Sequence, residues 1–226
     1  MQSSFKQMQT LQVELVDMTN ELLPYGVLNK TSVSDDVNED NYTVAYYPYQ
    51  YDQLLGGLSG ISPMGSRVEY AAQEQAYYNF VKDTYLSIPA TLKTTLLALA
   101  EEHRIQATDY DVVSKVVRYI KNAAYYDYTY ADEDYSDDKD MVTYFLTEHK
   151  RGVCRHFAAA ATMMFRALGI PARYTIGFAV DVKANEWLVY GDDLDEVGHA
   201  WTEIYVQGYG WIPLEVTGST LYTEGA

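Results

Sequence analysis

Three short segments of the sequence contain residue types that together could perform nucleophilic chemistry. The first holds the chain's one cysteine, Cys154, the second holds His199 in a Gly-His-Ala-Trp sequence, and the third ends at Glu215. A thiol becomes an effective nucleophile as the thiolate, which requires a neighbouring base. An imidazole base in turn requires a third group that fixes its orientation and tautomer. These segments could supply all three parts.

Cys154 is expected at the N-terminus of a helix. Apolar residues recur after it at helical spacing: Phe157, Ala160, Ala161, Met164 and Leu168. The N–H groups at a helix start favour a thiolate, and Arg151 and Arg155 add positive charge nearby. Gly152 permits the close approach of another chain. The alternative for a lone cysteine is a small, buried and unreactive side chain.

Four histidines compete for the role of base. His156 follows Cys154 by two residues, so a helix turns its side chain away from the thiol. His103 belongs to a charged helix and is expected to be exposed. His149 could reach the thiol only if the preceding loop folded back. His199 opens a strand after a glycine and an acidic loop, and is therefore the preferred candidate.

Two glutamates, Glu203 and Glu215, could orient the imidazole. Alternation along a strand puts Glu203 on the same face as His199, but ~13 Å away along that strand. Glu215 lies on the next strand, across a glycine-containing turn, and could sit beside His199. By spacing alone, a functional Glu215 and an ordinary exposed strand residue remain equally open readings.

Composition excludes several classes of function. The 226 residues carry a net charge of −16, which opposes binding to nucleic acid and to anionic lipid headgroups. No apolar run approaches the ~20 residues that cross a bilayer. The histidines lack recognisable ligand spacing around Cys154, and the acidic run Asp132–Asp140 lacks the glycine and glutamate of a calcium loop. We therefore expect no metal, no cofactor and no membrane span within these residues.

The sequence pattern divides the chain into two parts with different predicted secondary structure. Residues 1–66 are expected to contain an amphipathic helix over residues 5–22 and an irregular tyrosine-rich segment after it. Residues 67–226 are expected to form the second part. Two of its helices are predicted over residues 68–85 and 91–103. A third is predicted to begin after Thr108 as its N-cap, and a fourth is predicted to begin at Cys154. Its strands are predicted over residues 173–180, 187–190, 199–206 and 211–217. Helices followed by antiparallel strands predict an α+β domain.

The motifs around these residues occur in a specific order. They are Gly152-Val153-Cys154-Arg155-His156-Phe157-Ala158, then Arg166-Ala167-Leu168-Gly169-Ile170-Pro171-Ala172-Arg173, then His199-Ala200-Trp201, and finally Gly210-Trp211-Ile212-Pro213-Leu214-Glu215. Together they resemble the transglutaminase-like superfamily of papain-fold cysteine enzymes, over residues 98–219. The likeness is to bacterial members that are often extracytoplasmic domains of membrane proteins.

The resemblance implies a papain-like fold with Cys154 as nucleophile, His199 as base and Glu215 as the group that orients the imidazole. Many members have aspartate and proline where this chain has Glu215 and Val216. An aromatic residue before the nucleophile often stabilises the oxyanion, and Tyr126 is the nearest match, although further tyrosines surround it.

The implied reaction is acyl transfer from a carboxamide through a thioester, with a protein or peptide as substrate. Transfer of the acyl group to water would make the chain a protease or amidase, which we favour. Transfer of the acyl group to a lysine amine would make it a crosslinking enzyme. A glycoprotein amide is a further possible substrate. The alternative is a non-catalytic binding or scaffolding module of a cell-surface protein. The resemblance implies an extracytoplasmic location, with an anchor possible outside these residues, and leaves the oligomeric state open.

Overall fold

The structure, a computed structural model, describes residues 9–14, 41–46, 71–129, 140–180, 197–207 and 210–218. The chain groups into two compact units, Met1–Leu54 and Leu55–Ala226. The boundary expected near Arg67 stays a prediction. Within the described ranges, no helix has the length and apolar character needed to cross a membrane.

The first unit contains a two-stranded antiparallel pairing. Strand β1 (Gln9–Glu14) pairs with β2 (Asn41–Tyr46), with Gln9 opposite Tyr46 and Glu14 opposite Asn41. The helix predicted over residues 5–22 is therefore wrong at β1, and the irregular structure predicted over residues 29–66 is wrong at β2. Spacing within one segment cannot reveal a distant partner strand, and β2 is rich in the tyrosine, threonine and valine that strands favour. The rest of both predictions lies outside the described residues.

The second unit contains helices followed by a three-stranded sheet. The helices are α1 (Ala71–Tyr85), α2 (Ala90–Glu102), α3 (Val112–Ala123), α4 (Met141–Tyr144), a π-helical segment (Phe145–His149) and α5 (Cys154–Ala167). The strands are β3 (Tyr125–Tyr126), β4 (Arg151–Gly152), β5 (Ala172–Phe178), β6 (Gly198–Val206) and β7 (Gly210–Leu214). The predicted α+β class is confirmed.

Most predicted elements of this unit are present, but β7 ends at Leu214 rather than at Thr217, and the start of α3 differs. Thr108 does not cap this helix, which begins later with Asp111 as its N-cap residue. Asp109 instead closes the preceding turn, because its Oδ2 accepts a 2.8 Å hydrogen bond from the Gln106 N–H and one of 2.9 Å from Lys115 Nζ. The strand predicted over residues 187–190 lies outside the described residues.

Helix α5 forms the centre of the core against the sheet. Its Phe157, Met164 and Phe165 are completely buried. The Thr202 hydroxyl on β6 donates a 2.9 Å hydrogen bond to the Ala158 carbonyl, which fixes the helix against the strand. The helix therefore supports Cys154 at one end on a rigid, closely packed base.

The sheet has the order β5-β6-β7 and is antiparallel throughout. His199 on β6 faces Gly177 on β5, and Thr202 on β6 faces Leu214 on β7. This register brings the residues just after β7 to the beginning of β6. The sheet therefore places Glu215 beside His199 although sixteen residues separate them.

Candidate active site

Cys154 is the first residue of α5 and is partly exposed. The helix start is closed by His156, whose Nδ1 accepts a 3.0 Å hydrogen bond from the Val153 N–H. A Cβ on Gly152 would lie 2.8 Å from that same nitrogen, so the glycine makes room for the His156 ring. His156 is buried and stacks on Phe145. Its role here is structural.

The environment of the Cys154 thiol favours the thiolate. Burial alone would raise its pKa, but the hydrogen bond to His199 and the backbone N–H groups of Ala200 and Arg155 outweigh burial and lower the pKa. Arg151, expected to add charge to the thiol, instead forms an ion pair with Asp127. The imidazole and the backbone dipoles therefore stabilise the thiolate, as is usual for a reactive cysteine at a helix start.

His199 bridges the thiol and a carboxylate. Its Nε2 and the Glu215 Oε2 are 2.6 Å apart. The hydrogen bonds to Cys154 and to Glu215 raise the pKa of His199 to about 9, although burial opposes this. The ring is therefore an imidazolium at neutral pH when the thiol is a thiolate.

Glu215 is held in place from its other side. Its Oε1 accepts a 2.8 Å hydrogen bond from the Thr217 N–H. Burial raises the pKa of Glu215, but the hydrogen bonds from His199 and Thr217 outweigh burial and lower it. The carboxylate thus stays ionised and keeps the Nε2 proton of His199 in place, which leaves Nδ1 for the thiol.

Tyr126 also reaches the thiol. It lies on β3, which pairs with β4 immediately before Cys154, and its hydroxyl is a hydrogen-bond partner of the Cys154 backbone N–H. Its ring packs edge-on against Tyr128 with centroids 4.7 Å apart. Burial, together with the hydrogen bond to Tyr128, raises the pKa of Tyr126, so the hydroxyl keeps a proton that it can donate.

The remaining histidines lie elsewhere. The His103 ring contacts Tyr119 at 4.4 Å between centroids, and His149 stacks on Tyr144 at 5.5 Å. In the described part of the chain, no three His, Cys, Asp or Glu side chains are grouped as metal ligands would be. The thiol, imidazole and carboxylate named from the sequence are the groups that the fold brings together.

A second carboxyl group, that of Glu203, supports His199 through Trp201, and the sequence did not predict this role. The Trp201 ring stacks beside the His199 ring with 6.3 Å between their centroids. The indole also lies close over Gly177, where a Cβ would be 2.7 Å from it. The Trp201 Nε1–H donates to Glu203 at 3.2 Å, and Arg173 Nε donates to Glu203 at 2.5 Å. Alternation on β6 places residues 199, 201 and 203 on one face, and that pattern was the available signal.

The sequence suggested Glu203 only as a direct partner of His199. Among the hydrogen bonds of the described residues, none joins Glu203 to His199. Its side chain is fully buried, and burial raises its pKa to about 7. The carboxylate instead holds the indole that lies beside the imidazole. Its contribution to the site is indirect, through Trp201.

A thiol, an imidazole and a carboxylate in hydrogen-bonded sequence at a helix start define the class of papain-like cysteine sites. The sequence model of the transglutaminase-like superfamily matches residues 98–216. The chain belongs to this superfamily, as the motifs predict.

Relatives in two bacteria share parts of this sequence. The uncharacterized protein YebA of Bacillus subtilis (strain 168) is 28% identical over 190 residues, covering 80% of this chain. A protein-glutamine gamma-glutamyltransferase of Pseudomonas aeruginosa is 35% identical over 81 residues, covering 34% of this chain. The chain spans 24% of the first relative and 12% of the second.

The fold can also be compared with a solved structure. It is similar to the ethylmercury-bound periplasmic domain of TgpA from Pseudomonas aeruginosa, with a TM-score of 0.48 and 21% identity. The likeness covers 77% of this chain and 54% of the other.

Glu215→Gln is expected to lower the rate of thiol acylation by roughly 10- to 100-fold, the usual effect of replacing a charged hydrogen-bond partner by a neutral one. The pKa of His199 should also fall, so the loss of reactivity at high pH should begin at a lower pH. Acylation rates measured against pH check both effects. Glu215→Asp keeps the charge but shortens the reach, and an intermediate rate is expected. A Glu215→Gln rate equal to that of the parent would contradict the role of the carboxylate.

Proposed function

We propose that this chain catalyses cysteine-dependent acyl transfer from a carboxamide through a thioester. The proposal rests chiefly on the continuous hydrogen-bonded series from Cys154 through His199 to Glu215, in which His199 and Glu215 are 2.6 Å apart. Such a series provides both a nucleophile and a proton donor at neutral pH.

In the proposed first step, the Cys154 thiolate attacks the carboxamide carbon and the carbonyl oxygen becomes an oxyanion. The Cys154 N–H is hydrogen-bonded to the Tyr126 hydroxyl, and in the proposal both groups turn to the oxyanion as its donors. The tetrahedral intermediate then collapses as the C–N bond breaks, and the His199 imidazolium gives its proton to the leaving amine. The products are a thioester on Cys154 and a neutral His199.

In the second step, His199 acts as the base. It accepts a proton from water, or from an amine, as that nucleophile attacks the thioester carbon. The C–S bond then breaks and the thiolate–imidazolium pair forms again. Water gives a carboxylic acid, and a lysine amine gives an amide crosslink.

The choice between water and amine has one observation on each side. Cys154 is partly exposed, which admits water and supports hydrolysis. One relative is named a protein-glutamine gamma-glutamyltransferase, which supports glutamine as the acyl donor and an amine as the acceptor. We favour hydrolysis of a glutamine-type or peptide amide, with crosslinking as the second candidate.

The experiment that separates these outcomes uses a glutamine-containing protein substrate such as casein with a labelled primary amine. Conversion of glutamine to glutamate without label indicates hydrolysis, and incorporation of label indicates transfer to the amine. The same reaction with Cys154→Ala is the control. If the parent makes neither product at any amine concentration, and does not cleave the protein, the proposed acyl transfer is wrong and a binding module becomes the better account.

We also propose an extracytoplasmic location. The similar structure from Pseudomonas aeruginosa is that of a periplasmic domain. This chain spans only 24% and 12% of the length of its two relatives. A fusion of the whole natural protein to a reporter that is active on only one side of the membrane tests the location.

A further inference from the structure

Strand β5 exposes an apolar stripe made of Tyr174, Ile176 and Phe178. Their exposed fractions are 43%, 72% and 41%, and Val180 continues the series just beyond the strand at 41%. Side chains two residues apart on a strand lie on the same face, so the three form one row. A contiguous exposed apolar row is uncommon and typically marks a binding surface.

This stripe lies on the side of the sheet that faces α5. Tyr174 is paired with Thr202, and the Thr202 hydroxyl bonds the Ala158 carbonyl of α5. The stripe and the helix that bears the thiol therefore belong to the same side of the sheet. The inner part of that side is covered by α5, and the outer part, on β5, remains exposed.

The stripe also runs toward the reactive end of α5. The Arg166 guanidinium, near the C-terminus of α5, donates a 2.8 Å hydrogen bond to the Ala172 carbonyl, where β5 begins. The strand then returns along the helix toward its N-terminus and Cys154. In agreement with this direction of the strand, burial raises the pKa of Tyr174 and a negative charge on Cys154 raises it further.

We propose that Tyr174, Ile176 and Phe178 bind the acyl donor, as a subsite for apolar side chains that flank the reactive carboxamide in an extended peptide. The proposal rests on the acyl transfer proposed above and names its substrate class. A row with a period of two matches the side chains of an extended peptide, which project to one side at the same spacing. Apolar contact selects by burial, so a strongly acidic chain can bind such a donor whatever the net charge of the donor.

The test compares two short peptides in which the glutamine carboxamide is replaced by a diazoketone that alkylates the thiol. One peptide has leucine and phenylalanine beside the reactive residue, and the other has serine at both positions. The second-order rate constant of Cys154 labelling is measured by intact mass for the parent, Ile176→Ser and Phe178→Ser. Tyr110→Ser is the matched control, because Tyr110 is 85% exposed and lies in the turn before α3.

The parent is expected to react roughly tenfold faster or more with the apolar peptide, as expected for burying one or two large side chains. Ile176→Ser and Phe178→Ser should each remove most of that preference. Tyr110→Ser should behave as the parent. If serine disturbs β5, as seen by a lowered melting temperature, Ile176→Thr keeps the β-branched shape and makes the same comparison.

Iodoacetamide labelling in the same variants separates the two proposals. It reports the reactivity of the thiol without using a peptide site. An activated thiol whose peptide preference is unaffected by the stripe variants would overturn the subsite and leave the acyl transfer intact. An unactivated thiol would overturn both. A change in oligomeric mass with Ile176→Ser, without a change in peptide preference, would identify the stripe as a contact between copies and also overturn the subsite.

Discussion

Cys154→Ala is expected to abolish thioester formation and to lower the rate of carboxamide turnover by roughly 10⁴-fold or more. The thiol is the only nucleophile at the centre of the described site, and without it no covalent intermediate can form. The residual rate should come from the oxyanion donors and from substrate binding alone. This loss is measured as the rate at which ammonia is released from a glutamine peptide.

The fold of Cys154→Ala should be unchanged, because the thiol is only partly buried and alanine is a good helix former. Circular dichroism and the melting temperature provide that control. Turnover within tenfold of the parent in a correctly folded variant would show that the thiol does not carry the reaction. The site would then need another nucleophile, which the described residues do not offer near His199.

His199→Ala is expected to lower acylation by roughly 10²- to 10⁴-fold, the range for a general acid and base in an enzyme site. Two effects combine in this loss. The leaving amine no longer receives a proton, and the thiol no longer has the partner that lowers its pKa. The rate should consequently rise with pH up to the ordinary range of a free thiol, near ~8.5.

His103→Ala is the matched control for His199→Ala. This histidine is exposed, contacts Tyr119 and is not part of the site. It should leave acylation and its pH dependence unchanged. If the two variants are equally active, His199 is not the base, and the hydrogen bonds around it serve only the fold.

The second unit could be predicted from sequence to a large extent because its elements carry strong local signals. Helix α5 has a continuous apolar face and ends at Ala167, shortly before Gly169, which adopts a φ of 80° that suits glycine. Strand β5 alternates clearly, and the predicted bounds of β5 and β6 differ from the observed ones by at most two residues. The N-cap of α3 was misplaced because Thr108 and Asp111 are both suitable caps, and local sequence does not decide between them.

The first unit shows the opposite case. Strand β1 carries apolar residues at spacings that also suit a helix, and its partner β2 lies far away in sequence. The pairing of the two strands supplies the backbone hydrogen bonds that decide the conformation, and such long-range pairing leaves no mark within a short segment.

The three central residues of the site were predicted from the sequence, but the groups that hold them in place were not. Cys154 and His199 were named by residue type and position, and Glu215 needed the resemblance to be preferred over Glu203. The Thr217 N–H that holds Glu215 is a backbone group, which sequence patterns do not single out. The link from Glu203 through Trp201 to His199 depends on a buried carboxylate, and sequence alone does not show which glutamate is buried.

The most direct test of the central claim, that Cys154 and His199 form a thiolate–imidazolium pair, is the rate of iodoacetamide alkylation against pH. The parent and His199→Ala are compared by intact mass. We expect the alkylation rate of the parent to rise with an apparent pKa below ~8.5 and to change a second time near pH 9, where the imidazolium loses its proton. His199→Ala should show one transition, returned toward ~8.5. Identical profiles in the two chains, or a thiol that does not react when folded, would contradict the pair.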